Sequence, residues 1–259
     1  MNNKPFKGKA IYNPLGKAAE YSEWACNFYT GCSNNCDYCY CKKILRSIWT
    51  NVPSLKTSLK NEDNAIQVFN KELTNNLPEL QKNGLFFSFT TDPLLEETNY
   101  LTNEAVIICT ENKVPIKILT KEVLWLQKFN ISAEFTQIGF TLTGHDEMEH
   151  GCAKNTDRIN ALRMLHNYGY KTFASIEPII DIESSLRMIR KTHGFVDHYK
   201  IGLLSGKKYV KKDLLRFIYY VTFENPTAKI YFKDSLLYQA GLKRERLREN
   251  CVNRNFNLK

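Results

Sequence analysis

An α/β protein whose parallel strands wrap into a partial (β/α)6 barrel of the TIM type is the fold that this sequence predicts. Short apolar or β-branched runs alternate with segments of helical spacing, the pattern of consecutive strand–helix units. Six or seven such units in 259 residues fit one barrel better than two domains. No long linker, low-complexity stretch or fixed-period repeat interrupts them, so one domain over 1–259 is expected, with its core at about 20–205 and a basic extension at about 206–259. A doubly wound open sheet is the alternative, and periodicity does not separate the two. In both, ligands sit at the C-terminal ends of parallel strands.

Strands are expected at 24–29, 85–90, 116–120, 135–143, 171–176, 198–204 and 229–232. Between them, Thr102 caps a helix that runs to Asn112. Asn155 or Thr156 opens another, with Ile159, Leu162, Met164 and Leu165 as its apolar face. Asp181 or Ser184 opens a third through Leu186 and Ile189, and Asp213 a fourth through Leu214, Phe217 and Ile218. The stretch 41–80 reads as helical with a break near Pro53, on the outside of the sheet.

Composition narrows the class. The chain is 43% hydrophobic and 24% charged, which excludes a disordered or collagen-like protein. No apolar run approaches the ~18 residues that cross a bilayer. The basic N-terminus has no apolar segment after it and is not a secretory signal, so a cytoplasmic protein is expected. The net charge of +9 is concentrated in Lys207, Lys208, Lys211 and Lys212 and in Lys243, Arg244, Arg246 and Arg248. Such runs bind phosphate backbones or simply solvate a helix face.

Eight cysteines in a chain of this length and compartment do not read as a disulfide framework. Cys26, Cys32, Cys36, Cys39 and Cys41 are clustered, whereas Cys109, Cys152 and Cys251 are scattered. The central feature is Gly31-Cys32-Ser33-Asn34-Asn35-Cys36-Asp37-Tyr38-Cys39-Tyr40, a Cys-x3-Cys-x2-Cys run that follows a predicted strand. Three thiolates on one compact loop can hold three irons of a [4Fe–4S] cluster and leave the fourth open, the mark of a catalytic metal site. A zinc knuckle would need Cys26 or Cys41 as fourth ligand, and zinc sites usually join two separated pairs, which are absent here. Cys26 is expected buried in its strand and Cys41 at the start of the following helix.

This segment resembles the radical S-adenosylmethionine (SAM) enzymes, and the wider pattern is similar to their spore photoproduct lyase-like branch. Glu20-Tyr21, Asn27, Tyr29, Gly31-Cys32, Cys36 and Tyr38-Cys39-Tyr40 have counterparts there. So do Thr90-Thr91-Asp92-Pro93, Ile118-Leu119-Thr120-Lys121, Gly139-Phe140-Thr141-Leu142-Thr143 and Glu177-Pro178-Ile179-Ile180, in the same order at predicted strand ends. The resemblance implies a [4Fe–4S] cluster on Cys32, Cys36 and Cys39, with SAM chelating the open iron. It implies reductive cleavage of SAM to a 5′-deoxyadenosyl radical that takes hydrogen from a substrate, with a flavodoxin- or ferredoxin-like protein as the one-electron reductant.

Around SAM the resemblance places the backbone at Tyr38, the ammonium of Lys121 and the hydroxyl of Thr141, with Thr143 two residues on along the same strand face. Thr90, Thr91 and Asp92 stand where relatives carry Gly-Gly-Glu, which receives the methionine amino group, and Asp92 equally reads as the cap of a turn before Pro93. Glu177 replaces a residue that is generally neutral in the branch, and a ribose hydroxyl, a substrate amine, a proton or simply an arginine are its alternative partners. That branch acts on a thymine dimer in DNA and returns a hydrogen atom through a cysteine or tyrosine, for which Cys152 and Tyr40 are the candidate catalytic residues here. A nucleic acid or nucleotide is therefore the expected substrate. A zinc- or cluster-bearing nucleic acid-binding module without catalysis is the alternative class. His145 and His150 flank an acidic run whose spacing matches no metalloprotease motif, and the segment reads as a polar loop.

Overall fold

The computed structural model describes residues 5–128, 132–224, 227–254 and 256–257. Its strands are β1 (Ile11–Tyr12), β2 (Ala25–Cys26), β3 (Tyr29–Thr30), β4 (Ser54–Leu55), β5 (Leu85–Phe87), β6 (Ile116–Thr120), β7 (Thr136–Thr141), β8 (Lys171–Ile179), β9 (His198–Leu203) and β10 (Lys229–Phe232). Its helices are α1 (Tyr40–Ile44), α2 (Glu62–Asn75), α3 (Leu77–Asn83), α4 (Asn99–Glu111), α5 (Asn155–Asn167), α6 (Ile182–Thr192), α7 (Lys211–Glu224) and α8 (Asp234–Ala240). The main sheet has the order β1-β2-β5-β6-β7-β8-β9-β10, and every neighbouring pair from β2 to β10 is parallel.

Capping and periodicity account for the helices. Asn61 accepts the amide of Asn64 at 2.8 Å to start α2, whose Ala65, Phe69 and Leu73 recur every four residues and are buried. Asp181 caps α6 through the Ser184 amide at 2.8 Å, and Arg190 and Lys191 occupy its last turn, where the helix dipole favours cations.

Alternation along each strand separates two faces. Ile138, Phe140, Ala174, Ile176, Tyr199, Ile201, Ile230 and Phe232 pack in one large core with helix residues such as Leu162, Ile189 and Phe217. Phe86, Leu119, Phe173 and Tyr21 form a second cluster on the opposite face. The sheet curls around this inner face. Tyr21, just before β2, bonds Ser175 of β8 at 2.6 Å and receives Lys200 of β9 on its carbonyl at 2.7 Å, while Glu20 takes the hydroxyl of Tyr231 in β10 at 2.7 Å. Strands at opposite ends of the order therefore meet on one segment.

Several expected boundaries are corrected. The strand expected at 24–29 is divided, because the chain leaves the sheet at Asn27, whose side chain takes the amide of Phe89 at 2.8 Å and donates to Tyr12 at 2.6 Å. Beyond it, β3 pairs antiparallel with β4, so 41–80 contains a strand as well as α1, α2 and most of α3. The strand expected at 85–90 ends at Phe87, and a 3-10 turn, Ala133–Phe135, replaces the start of the one expected at 135–143. Thr102 lies inside α4, not at its cap. Beyond residue 205, β10 joins β9 in the same sheet, and its flanking α7 and α8 contribute to the same core.

Gly139 is required by close approach: a Cβ there would stand 2.4 Å from the Phe173 ring on β8. Gly139→Ala is expected to destabilise the fold by about 1–3 kcal/mol through overpacking. Urea unfolding checks this, and an unchanged midpoint would show that the ring moves freely.

Candidate functional site

The cysteine loop leaves β3 and enters α1, beside the C-terminal ends of β5, β6 and β7. One carboxylate anchors it. Asp92 receives Thr120 Oγ1 at 2.6 Å and the Leu94 amide at 3.1 Å on Oδ1, and the Lys121 amide at 2.7 Å and Asn34 Nδ2 at 2.9 Å on Oδ2. Asn34 lies between Cys32 and Cys36, so the loop, the β5 end and the β6 end share one buried acceptor. The side-chain oxygen of Asn34, Oδ1, is buried and has no hydrogen-bond partner among the described residues.

A second loop, between β7 and α5, packs on the first. Gly151 donates to Asn34 O at 3.0 Å, Asp37 donates to Met148 O at 3.0 Å, and His150 meets Asp37 at 2.8 Å. Only glycine fits at 151, since a Cβ would come 2.4 Å from Ser33 O. This contact brings Cys152 Sγ to 3.7 Å from Cys36 Sγ.

The thiols differ in character. Cys36 is lowered to about 6 by its hydrogen bond with the Cys152 thiol, with Lys121 adding its field, while the same contact and burial raise Cys152. Cys39 is likewise lowered to about 6, first by the Cys41 thiol and then by the backbone amides of Lys42 and Cys41. Burial and the nearby Asp92 push Cys32 up to about 12, against the amides of Asp92 and Asn34 that point at its sulfur. Among the described residues no three Cys, His, Asp or Glu side chains converge as a metal-binding group. The donor set nevertheless fits an iron–sulfur cluster in chemistry: three thiols on one loop, backbone N–H groups aimed at two of the sulfurs, and the Lys121 cation acting on all three.

Lys121 follows β6 directly. Burial alone would lower its ammonium, but Tyr38, Cys36, Glu149 and Cys152 together hold it well above the usual lysine value. Its Nζ lies 5.7 Å from the centroid of the Tyr38 ring. The structure thus gathers Cys32, Cys36, Cys39, Tyr38, Asp92, Lys121 and Cys152. Thr141 and Thr143 sit nearby, buried, at the end of β7 and just past it; the Thr141 carbonyl accepts Arg158, and Thr143 Oγ1 accepts the His145 amide at 3.2 Å.

Other expected residues have protein partners. Thr90 Oγ1 donates to Tyr29 O at 2.7 Å, and the exposed Tyr40 donates to Phe89 O at 2.7 Å. Glu177 lies on the inner face of β8, where it takes Lys233 Nζ at 2.9 Å and the Tyr21 hydroxyl at 2.8 Å. Cys26 is buried as expected, and Cys41 lies in the first turn of α1 as expected, where it is also buried.

Sequence reasoning missed Glu149, Arg158 and Lys233. The segment read as a polar loop contains Glu149, which is buried and paired with the fully buried Arg158. A signal existed: Arg158 falls four residues before Leu162 and seven before Leu165, on the apolar face of α5.

The same loop carries a titratable tie. His145 meets Glu147 at 2.6 Å and Asp181 at 2.5 Å. Burial opposes protonation, but the hydrogen bonds to these two carboxylates outweigh it and raise the imidazole above its usual value. A raised folded-state value means that this stabilisation is complete below the unfolded histidine value of ~6.5 and fades as pH rises through the folded value. The destabilisation caused by His145→Gln should be largest near pH ~5.5 and smallest near pH ~9. Urea unfolding of both proteins across that range checks it, and a pH-independent difference would remove charge from the account.

No protein-family model matches the chain. An uncharacterized protein of Methanocaldococcus jannaschii is 26% identical over 225 residues, covering 80% of this chain and 81% of that one. A cysteine-to-alanine variant of spore photoproduct lyase superposes with a TM-score of 0.64 at 15% identity, over 85% of this chain and 79% of that one. Another lyase variant, with bound AdoMet and dinucleoside spore photoproduct, gives 0.56 at 17% identity over 80% of this chain, which spans 62% of that chain's length. SuiB of Streptococcus suis bound to S-adenosylmethionine gives 0.51 at 16% identity, over 81% of this chain and 47% of that one. The curled parallel sheet described above is thus the fold of spore photoproduct lyase.

Proposed function

We propose that this chain is a radical SAM enzyme acting on a nucleic acid or nucleotide. The observation that carries the reading is the position of Cys32, Cys36 and Cys39 on one loop in the field of Lys121, at the C-terminal ends of parallel strands. The three thiolates would hold a [4Fe–4S] cluster. Lys121, with no hydrogen bond or ion pair from Nζ among the described residues, would receive the SAM carboxylate. The side-chain carbonyl of Asn34, with no donor among the described residues, would accept its amino group, while Asp92 keeps both residues in place. The backbone at Tyr38 and the region of Thr90, Thr141, Thr143 and Glu177 would border the rest of the cofactor. When bound, the cluster and SAM would supply one-electron cleavage of a carbon–sulfur bond, with a flavodoxin- or ferredoxin-like reductant as partner. Cys152 or Tyr40 would return a hydrogen atom to the substrate.

Anaerobic reconstitution tests the metal. The protein should bind iron and sulfide in equal amounts and turn brown; Cys32→Ala, Cys36→Ala and Cys39→Ala should each lose the cluster, whereas Cys26→Ala and Cys41→Ala should keep it. Full iron content in Cys36→Ala would refute the assignment. Release of deoxyadenosine on reduction with SAM would separate an enzyme from a metal-bearing binding module.

The substrate class rests on charge and on the similarity to the lyase. Lys207 and Lys208 lie in the loop after β9, and Lys211 and Lys212 open α7 at the same end of the sheet. Lys207 Nζ also donates to Ile180 O at 2.6 Å, and Arg244 is committed to Phe232 O and Asp234, both at 2.7 Å, so these two serve the fold as well. Binding of single-stranded or duplex DNA or RNA should weaken with salt at a log–log slope of about −0.7 to −0.9 per phosphate contacted. Neutralising Lys207, Lys208, Lys211 and Lys212 together should flatten that slope, as fluorescence anisotropy would record. No binding at low salt would favour a small-molecule or peptide substrate.

A further inference from the structure

Resting on the function just proposed, we propose that Glu149 is a positioning residue for the carboxylate end of SAM: it holds the Tyr38 ring against which Lys121 presents its ammonium. The chain of contacts begins on α5. Arg158 is wholly buried and donates to Ala153 O at 2.9 Å, to Thr141 O at 2.5 Å and to Glu149 Oε2. Both charged side chains of the Arg158–Glu149 pair are fully buried. Oε2 of Glu149 is thereby taken, with Asn155 Nδ2 a weaker second donor at 3.4 Å. Oε1 receives the hydroxyl of Tyr38.

A pair that served only to staple α5 to its preceding loop would be complete without a third group. Here the second oxygen is spent on a phenol from the cysteine loop, between Cys36 and Cys39. Each side then constrains the other, because Oε1 would be a buried acceptor without a donor if the ring turned away. The fixed ring offers its π face to Lys121 Nζ at 5.7 Å, and Glu149 adds its negative field to that of the ring. The ammonium is localised without consuming its hydrogen-bond donors, and those donors remain for a carboxylate ligand.

The test uses reconstituted holoprotein under anaerobic conditions, with SAM and decarboxylated SAM as calorimetric probes and iron content as the control. Glu149→Gln keeps the shape and a bond to Arg158 but removes the charge. Tyr38→Phe removes the bond and leaves the Arg158–Glu149 pair intact. Each variant should retain full iron and bind SAM about three- to tenfold more weakly, with decarboxylated SAM unaffected. The double variant should lose no more than the larger single effect, because one chain of contacts is being cut. SAM affinity equal to wild type at full iron content, or equal losses for both probes, would overturn the proposal and leave Glu149 as a staple. If Glu149→Gln does not fold, Tyr38→Phe alone decides by the same two criteria. A wild-type holoprotein that binds neither probe would instead overturn the proposed function itself.

Discussion

The carboxylate of Asp92 is the point on which the arrangement of the candidate site depends. Four donors from three places in the sequence converge on it: Asn34, the Leu94 amide, and the consecutive Thr120 hydroxyl and Lys121 amide. Hydrogen bonds to a charged acceptor are worth more than neutral ones, about 1.5–3 kcal/mol each. The larger effect is the cost of leaving several buried donors without a partner, so the loop cannot leave the sheet piecemeal. Both oxygens of Asp92 are thus filled by donors from the protein itself. Asn34 Oδ1 and Lys121 Nζ, on the residues it holds, have no hydrogen-bond partner among the described residues.

A second constraint lies in the inner face of the sheet. Lys117, Lys200 and Lys233 are all buried there, and Lys200 and Lys233 lie 4.8 and 4.9 Å from the centroid of the Tyr21 ring. Burial lowers Lys117 to about 8, and burial with the fields of Lys117 and Lys233 puts Lys200 well below the ordinary lysine value. Lys233 is compensated by Glu177, whose other oxygen takes the Tyr21 hydroxyl. Glu177 therefore belongs to a lysine–tyrosine network that crosses from β8 to β10, and this explains a carboxylate at a strand end that otherwise reads as isolated.

Much of the strand order was legible because alternation is a local property. In β7, Ile138 and Phe140 face the helices while Gln137, Gly139 and Thr141 face inward, and a period of two is visible without any partner. The cysteine run was legible for the same reason: its spacing confines three thiols to one loop whatever surrounds it. The antiparallel β3–β4 pair was not, since two-residue strands carry no periodicity and are defined only by the register of Tyr29 with Leu55. Glu149 was hidden among charged neighbours, and nothing in the acidic run distinguishes it from Asp146 or Glu147, which remain exposed.

The sequence by itself determined the alternating units, the confinement of three thiols to one loop, and the starts of α5 at Asn155 and of α6 just after Asp181 to within a few residues. Each depends on neighbours a few positions apart, where spacing alone sets geometry. Tertiary structure decided which charges are buried and which thiols meet. Cys36 and Cys152 are 116 residues apart, and Glu20 and Tyr231 are 211 apart. Such contacts follow from the curl of the sheet and from one glycine-permitted loop packing. A polar residue takes its role from the partner that desolvation forces upon it, and that partner is not written nearby in the chain.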